Sequence, residues 1–155
     1  MSEYVVSNAS PRLMSSTAAV SQMLTVYNAA SAPVGQFRIS EWSIGPAASS
    51  ADTIYAVGMM RTLIGSAAYV AAPTPSPLDG KIGAALTLAG DLSTTTATIG
   101  VSLGRWGFHF RGGYRWVAKP GGEFQVLSAV SAGLALQVIY AQSTDSALAT
   151  IYFNE

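Results

Sequence analysis

The fold is decided by a stretch near the C-terminus, Leu134-Ala-Leu-Gln-Val-Ile-Tyr140. Side chains alternate between the two faces of a β-strand, so the two leucines, Val138 and Tyr140 share one face. Ala135, Gln137 and Ile139 share the other. Because both faces are nearly apolar, the stretch predicts a strand in the middle of a sheet, or one whose second face is covered by a partner.

The same β-rich character extends from Val20 to the C-terminus. Short runs of β-branched and aromatic residues are separated by Gly, Pro, Asp or Ser at roughly the 8–12-residue spacing of sandwiches and barrels. The sequence therefore predicts an all-β protein, a single antiparallel β-sandwich of jelly-roll-like type. Residues 13–30 also have a loose helical spacing, but a strand is favoured for their second half. The predicted strands are Val20–Tyr27, Gln36–Ile44, Thr53–Thr62, Ala67–Ala71, Thr96–Leu103, Gly107–Arg111, Tyr114–Ala118, Phe124–Ser128, Leu134–Tyr140 and Leu148–Phe153.

The N-terminal residues differ from this pattern. Residues 1–18 are rich in Ser, Ala and Asn, are broken by Pro11, and contain few residues that could anchor a core. They predict an extended N-terminal arm in front of a β-sandwich domain that spans residues 19–155. Such an arm either straps a neighbouring subunit or is disordered. In the first case Tyr4 and Arg12 are candidate contact residues.

A proline-rich segment interrupts the strands. Pro73-Thr-Pro-Ser-Pro77 alternates proline with small residues, which favours an extended polyproline geometry and excludes a central strand. It predicts a crossing loop, and Pro73, Pro75 and Pro77 are candidate interface residues in that loop. Residues 79–89 could hold one short helical turn, whose length is limited by glycines.

The large apolar side chains lose their alternation in Phe37-Arg-Ile-Ser-Glu-Trp-Ser-Ile44. Phe37 and Ile39 are in step with each other, whereas Trp42 and Ile44 are out of step by one residue. A β-bulge near residues 40–41 would return all four side chains to one face.

The densest cluster of aromatic and basic side chains is Arg105-Trp-Gly-Phe-His-Phe-Arg-Gly-Gly-Tyr-Arg-Trp116. It predicts a hairpin around Gly112-Gly113. A loop with an even number of residues would place His109 and Arg111 on the same face as Tyr114 and Trp116. An odd number with a glycine bulge would place the aromatic side chains of both strands on one face and the basic ones on the other. The odd register is favoured because it separates apolar from polar side chains.

Three uses of this hairpin are considered. The aromatic side chains could simply pack in the sandwich core. Arginine and aromatic side chains are also enriched at protein interfaces, so Arg111, Tyr114 and Arg115 are candidate contact residues. Finally, aromatic side chains can stack on bases or sugar rings while arginines contact phosphates. The zero net charge and the lack of lysine in the hairpin disfavour nucleic acid.

The charge content is low. Only 10% of the 155 residues are charged, 50% are hydrophobic, and the mean hydropathy is +0.35, whereas a typical soluble domain has about 25% charged residues. With a formal net charge of +0, little electrostatic repulsion keeps copies apart. These values indicate a protein built to be assembled into a larger structure. No nucleic-acid partner is expected, and no membrane partner, because the longest apolar run, residues 127–141, is too short to span a bilayer.

No pattern in the sequence predicts catalysis, a metal site or a cofactor. The chain has no cysteine and one histidine, and nothing at metal-ligand spacing surrounds His109. There is no Gly-x-Ser-x-Gly nucleophile elbow, and Gly80-Lys81 lacks the remainder of a phosphate-binding loop. The carboxylates are scattered and lie mostly at predicted turns. The sequence predicts a non-enzymatic protein with no catalytic, metal-binding or cofactor-binding residues.

Five segments form a set of turn and strand landmarks over residues 35–155. They are Ala51-Asp-Thr-Ile-Tyr55 leading to Arg61-Thr62, Thr74-Pro-Ser-Pro-Leu-Asp79, Trp116-Val-Ala-Lys-Pro-Gly-Gly-Glu123, Gly133-Leu-Ala-Leu136 and Tyr152-Phe-Asn-Glu155. Together they resemble the small β-sandwich decoration (cement) proteins of tailed-bacteriophage capsids, of the cyanophage type.

The resemblance implies a virion structural protein that acts by adhesion. It implies a homotrimer on the outer surface of the capsid, bound to the major capsid protein of a phage head, which it stiffens against internal DNA pressure. Two alternatives stay open. A jelly-roll capsid shell protein is disfavoured because residues 1–18 are not basic. A virion fibre or receptor- and carbohydrate-binding sandwich would use Trp42, Trp106, Trp116 or Tyr114 to stack on a sugar.

Overall fold

The structure is a computed structural model. It describes residues 2–13, 20–28, 36–48, 54–63, 69–78, 80, 85, 87–92, 98–127, 129, 132–139 and 145–155. Within these ranges no helix is long and apolar enough to cross a membrane. All statements about the fold concern these residues.

The described residues form an all-β sandwich, as predicted. Every strand pairing is antiparallel. The strands are β1 (Glu3–Ser7), β2 (Arg12–Leu13), β3 (Val20–Asn28), β4 (Phe37–Ala48), β5 (Ile54–Leu63), β6 (Tyr69–Ala71), β7 (Ser76–Pro77), β8 (Thr87–Leu92), β9 (Thr98–His109), β10 (Tyr114–Val117), β11 (Phe124–Val126), β12 (Ala132–Ile139) and β13 (Ser146–Asn154).

The strands form two sheets. Sheet A has seven strands, with the order β10-β4-β13-β1-β7; β11 also pairs with β4, and β2 with β13. Sheet B has six strands in the order β6-β8-β3-β12-β5-β9. The chain passes from one sheet to the other at β2/β3, β3/β4, β4/β5, β6/β7, β7/β8, β9/β10, β11/β12 and β12/β13. The inner faces of both sheets contribute to one hydrophobic core.

The stretch with two apolar faces is a central strand. β12 lies between β3 and β5 in sheet B, and every residue from Gly133 to Ile139 is buried. Leu134, Leu136 and Val138 belong to the core between the sheets. Ala135 and Gln137 point to the outer face and are nevertheless buried. The predicted central position is confirmed, and the second face is already buried within a single copy of the chain.

The predicted bulge in β4 is also confirmed. In the pairing with β13, Tyr152 lies opposite Glu41 and Phe153 lies opposite Ile39, so Ser40 is the extra residue. The Ser40 carbonyl oxygen accepts a hydrogen bond of 2.9 Å from the backbone N–H of Ala118. Because of this single insertion, the large apolar side chains on both sides of it are buried on the inner face.

The structure corrects the prediction of an arm for residues 3–7. β1 lies inside sheet A, between β13 and β7. Tyr4 and Val6 are buried, and the Tyr4 ring stacks on Phe153 with ring centres 5.5 Å apart. Asn8 then links the sheets: its Nδ2 donates to the Met23 carbonyl oxygen, and its Oδ1 accepts from the N–H of Ala149, each at 2.6 Å. Residues 14–18 of the predicted arm lie outside the described residues.

The predicted hairpin at Gly112-Gly113 is wrong. β9 belongs to sheet B and β10 to sheet A, and one turn of 3-10 helix at Phe110–Gly112 carries the chain from one sheet to the other. Gly113 makes this corner possible because its φ is +64° and an added Cβ would lie 2.9 Å from the carbonyl oxygen of Ile44. The separation of aromatic from basic side chains, for which the odd register was favoured, is present.

β9 replaces two predicted strands, Thr96–Leu103 and Gly107–Arg111. The glycines that predicted a break between them lie within one strand of 12 residues. Gly104 leaves room for the Trp106 ring, since a Cβ at residue 104 would lie 2.5 Å from a ring carbon of Trp106. The glycine therefore accommodates a side chain and does not mark a turn.

Two further elements differ from the predictions. Ser76 and Pro77 form the short edge strand β7 on β1, which agrees with the exclusion of a central strand. Thr87–Leu92 forms β8, paired with β3, so the end of the predicted helical turn is a strand. The start of that turn lies mostly outside the described residues.

Candidate functional site

The predicted interface residues do not form one surface. Tyr4 lies in the core and Pro75 is buried, so neither side chain is accessible to a partner in this structure. Pro73 and Pro77 are half-buried. Arg12 lies in β2, and its side chain falls outside the described part of the chain.

The proline-rich segment and the Arg111–Arg115 segment lie at opposite ends of sheet A. β7 is one edge strand of the sheet order and β10 is the other. Three strands separate them, so four inter-strand spacings amount to about 19 Å. A partner that contacts both segments would have to cover the outer face of sheet A between them.

The basic side chains of the Arg105–Trp116 segment are accessible, and its aromatic ones are packed inward. His109, Arg111 and Arg115 are exposed, Tyr114 is half-buried, and Phe110 is fully buried. This confirms that the aromatic side chains belong to the core.

The tryptophan rings contact one another across the end of the sandwich. The Trp116 ring stacks on Phe124 with ring centres 4.5 Å apart and lies nearly parallel to Trp42 at 6.4 Å. Trp106 approaches Trp42 edge-on at 5.2 Å. Trp42 is fully buried, and its Nε1 has no hydrogen-bond partner. These contacts favour packing over a sugar-stacking platform, because other rings of the same chain lie against the ring faces.

The outer face of sheet A is a regular surface, which we name the docking face. Paired residues on adjacent strands form three rows across it. The first row is Arg115, Ser43, Thr150 and Ser7; the second is Val117, Glu41, Tyr152, Val5 and Ser76; the third is Gln125, Arg38, Asn154 and Glu3. Leu148, beside Gly45, extends the face and is 40% exposed.

The docking face carries small and weakly polar side chains at its centre. The hydroxyl groups of Ser7 and Thr150 are joined by a hydrogen bond of 2.8 Å, and Val5 and Tyr152 lie beside them in the next row, half-buried. Few charged groups would need to lose water if another surface covered this region.

One ion pair neutralises the charge near the β10 edge. Arg115 donates from Nε to Oε1 of Glu41 at 2.6 Å and from Nη2 to Oε2 at 2.8 Å. This two-point contact is the arrangement in which an arginine best matches a carboxylate. The hydrogen bond to Glu41, followed by its negative charge, raises the pKa of Arg115 above the ordinary arginine value. The arginine therefore stays charged at all physiological pH values.

An open groove of about 340 Å³ adjoins this ion pair. Its walls are the β4 segment that extends past the end of β10 and the glycine corner before β10. Tyr114 and Arg115 line it together with Ser43 and Pro46. The groove extends the docking face at the edge where the Arg111–Arg115 segment had been predicted to contact a partner.

Titratable groups are dispersed. In the ranges that the structure describes, no three His, Asp or Glu side chains lie close enough to hold a metal ion. The most deeply buried acid, Asp145, accepts a hydrogen bond from the hydroxyl of Tyr55, and both residues are at most 1% exposed. This pair joins β5 of sheet B to the start of β13 of sheet A. Its place in the fold assigns it the role of holding the two sheets together.

Sequence reasoning missed the residues of the docking face. β13 alternates buried and accessible residues from Ser146 to Asn154, and Thr150 and Tyr152 lie on the accessible side. That alternation was visible in the sequence, but the outward residues are small or apolar and looked like core residues. Only the register against β4 and β1 places them in rows.

No family model matches the sequence, and neither the curated proteins nor the solved structures contain a match.

Proposed function

We propose that this chain is a non-enzymatic structural protein that binds a larger protein assembly through the docking face. The assembly proposed is the head of a tailed bacteriophage. In this role the chain is a decoration protein, in homotrimers on the outer surface of the virion, that stabilises the lattice of the major capsid protein. The observation that carries the proposal is the docking face itself, an ordered β-surface with small hydroxyl and apolar side chains at its centre and a paired arginine and glutamate near its β10 edge.

The chemistry of the docking face suits adhesion to protein. Ser7, Ser43 and Thr150 present short hydroxyl side chains, and Val5 and Tyr152 add apolar surface. Covering such a surface removes little water from charged groups and orders few long side chains. A protein that decorates a lattice also needs only moderate affinity at each contact, because linked copies bind with avidity.

The N-terminal segment takes part in a different way from a strap. β1 lies within sheet A and contributes Glu3, Val5 and Ser7 to the docking face. A partner would therefore meet this segment as part of a preformed surface, and no ordering entropy would be lost there on binding. The proposed interface is a face of the sandwich that includes the N-terminal strand.

The test is co-sedimentation of the purified protein with expanded phage heads that lack it. Saturable binding in a fixed ratio to the major capsid subunit is expected. Two leucines give a matched pair of variants: Leu148 on the docking face is 40% exposed and Leu88 on sheet B is 42% exposed. Leu148→Lys is expected to weaken binding by about tenfold or more, because it places a charge in a contact that excludes water. Leu88→Lys should bind as the wild type does.

The outcomes separate the two parts of the proposal. Folded wild-type protein that does not bind heads would contradict the capsid role and favour a fibre or sugar-binding module. Binding that Leu148→Lys and Leu88→Lys weaken equally would keep the capsid role and remove the docking face from it. Unfolding curves of both variants serve as the control for stability.

A further inference from the structure

The edges of the two sheets are protected to different degrees. In sheet A, β7 has only two residues and ends in Pro77, and the opposite edge is divided between the short strands β10 and β11. In sheet B, β6 has three residues, whereas β9 has 12. β9 contains neither proline nor lysine, which natural proteins use to blunt exposed edges. Among the described strands, β9 is the longest edge, and only Arg105 and the register shifts in its first half act against the addition of another strand.

The second half of β9 is regular. Residues Gly104 to His109 pair one to one with Met59 to Ile54 of β5, and the register shifts lie before this segment. A regular edge strand directs alternate N–H and C=O groups away from its single neighbour. The segment from residue 104 to residue 109 can therefore accept another strand by backbone hydrogen bonding.

The outer side of this segment is accessible and basic. Arg105, Gly107 and His109 alternate to the same face and are all exposed. Ile54, directly opposite His109, is 76% exposed. At Gly107 an added Cβ would meet nothing within 4 Å. The chain has no Asp or Glu between Asp91 and Glu123, so no acid of the same chain segment balances Arg105.

We propose that residues 104–109 of β9 accept an extended acidic segment of the partner protein as an additional strand of sheet B. An acidic side chain of that segment lies opposite Arg105. The inference rests on the proposed function, because it assumes that the partner is a protein. It adds a second attachment, on the opposite sheet from the docking face.

Charge distinguishes this occupant from a second copy of the chain. Twofold antiparallel pairing of two copies about Gly107 would place Arg105 of each copy opposite His109 of the other. That arrangement brings no acid to Arg105. An acidic partner strand gives the complementary arrangement and uses the same backbone groups.

The experiment uses the full chain and a probe peptide of four Glu-Val pairs with blocked ends, with the matching Lys-Val peptide as control. Hydrogen exchange of the amides of residues 104–109 is measured with each peptide, and affinity by titration calorimetry. The Glu-Val peptide is expected to slow exchange in this segment. Arg105→Glu is expected to weaken that peptide about tenfold and to strengthen binding of the Lys-Val peptide. Lys119→Glu, at the exposed turn after β10, should change neither.

Three results would overturn the proposal. One is the absence of protection at residues 104–109, and another is equal weakening by Arg105→Glu and Lys119→Glu. The third is concentration-dependent protection without peptide together with a dimer in sedimentation, which would identify the occupant as a second copy. Because the assay contains no phage heads, its failure and a failure of head binding are separate results.

Discussion

The outer faces of the two sheets differ in how far their central residues are exposed. In sheet B the centre of the outer face is buried: Thr25 and Ala135 are 0% exposed and Gln137 is 1% exposed. In sheet A the corresponding central residues, Thr150 and Tyr152, remain accessible. The centre of sheet B is therefore buried on both faces, whereas sheet A is buried on one face and accessible on the other.

This difference changes the meaning of the low charge content. A low fraction of charged residues indicates an interface only if the uncharged residues reach the surface. In sheet B many do not, and the buried side-chain atoms Thr25 Oγ1 and Gln137 Nε2 have no hydrogen-bond partner. In sheet A the same residue types form the docking face. The uncharged residues of this chain therefore lie in two different environments, the buried centre of sheet B and the accessible outer face of sheet A.

The largest expected effect compares a lysine on each outer face. Ala135→Lys would bury an unpaired charge at the centre of sheet B and is expected to cost more than about 4 kcal/mol, enough to unfold a marginal domain. Thr150→Lys, on the docking face, should cost less than about 1 kcal/mol. Urea denaturation measures both. Similar losses in the two variants would break the distinction between the faces.

Tyr4→Ala tests whether β1 is an integral strand of sheet A. The variant removes a buried ring that stacks on Phe153 and is expected to cost about 3–5 kcal/mol, as for other large aromatic side chains in cores. Val5→Ala, at the neighbouring half-buried position, should cost clearly less. Thermal unfolding of the two variants gives the comparison. A negligible effect of Tyr4→Ala on stability would contradict the interior strand and support an N-terminal arm that is detached from the sheet.

Tyr55→Phe tests the polar contact that joins the sheets. The change removes the hydroxyl that donates to the buried Asp145 and keeps the ring, so a loss of about 1–3 kcal/mol is expected. Tyr114→Phe is the matched control at a half-buried position and should stay within about 0.5 kcal/mol of the wild type. Equal stability of both variants would show that Asp145 does not depend on this donor.

The smallest expected effect is a gain. Thr25→Val replaces a buried hydroxyl without a hydrogen-bond partner by a methyl group of the same shape, and is expected to stabilise the domain by about 1 kcal/mol. The same change at Thr150 removes the bond to Ser7 at the surface and should not stabilise. Chemical denaturation of the two variants measures the difference. A loss of stability in Thr25→Val would mean that its hydroxyl has a polar partner.

Prediction from the sequence succeeded where a local pattern has one structural solution. The alternation of inward-facing side chains changes phase between Ile39 and Trp42, which required one inserted residue. Ser40 is that residue. It failed where two distant segments determine the outcome. Gly112-Gly113 is equally compatible with a hairpin and with a corner between sheets, and only the separate pairings of β9 with β5 and of β10 with β4 select the corner.

By itself, the sequence determined the strand class, the central place of β12 and the inward orientation of the aromatic side chains, because the periodicity of side chains along one strand is a local property. Only the tertiary structure decided that residues 3–7 are an interior strand and that the outer face of sheet A is the open one. A strand's neighbours are set by contacts between residues far apart in the chain. Tyr4 becomes core because Phe153 lies beside it, and no pattern within residues 1–18 contains that information.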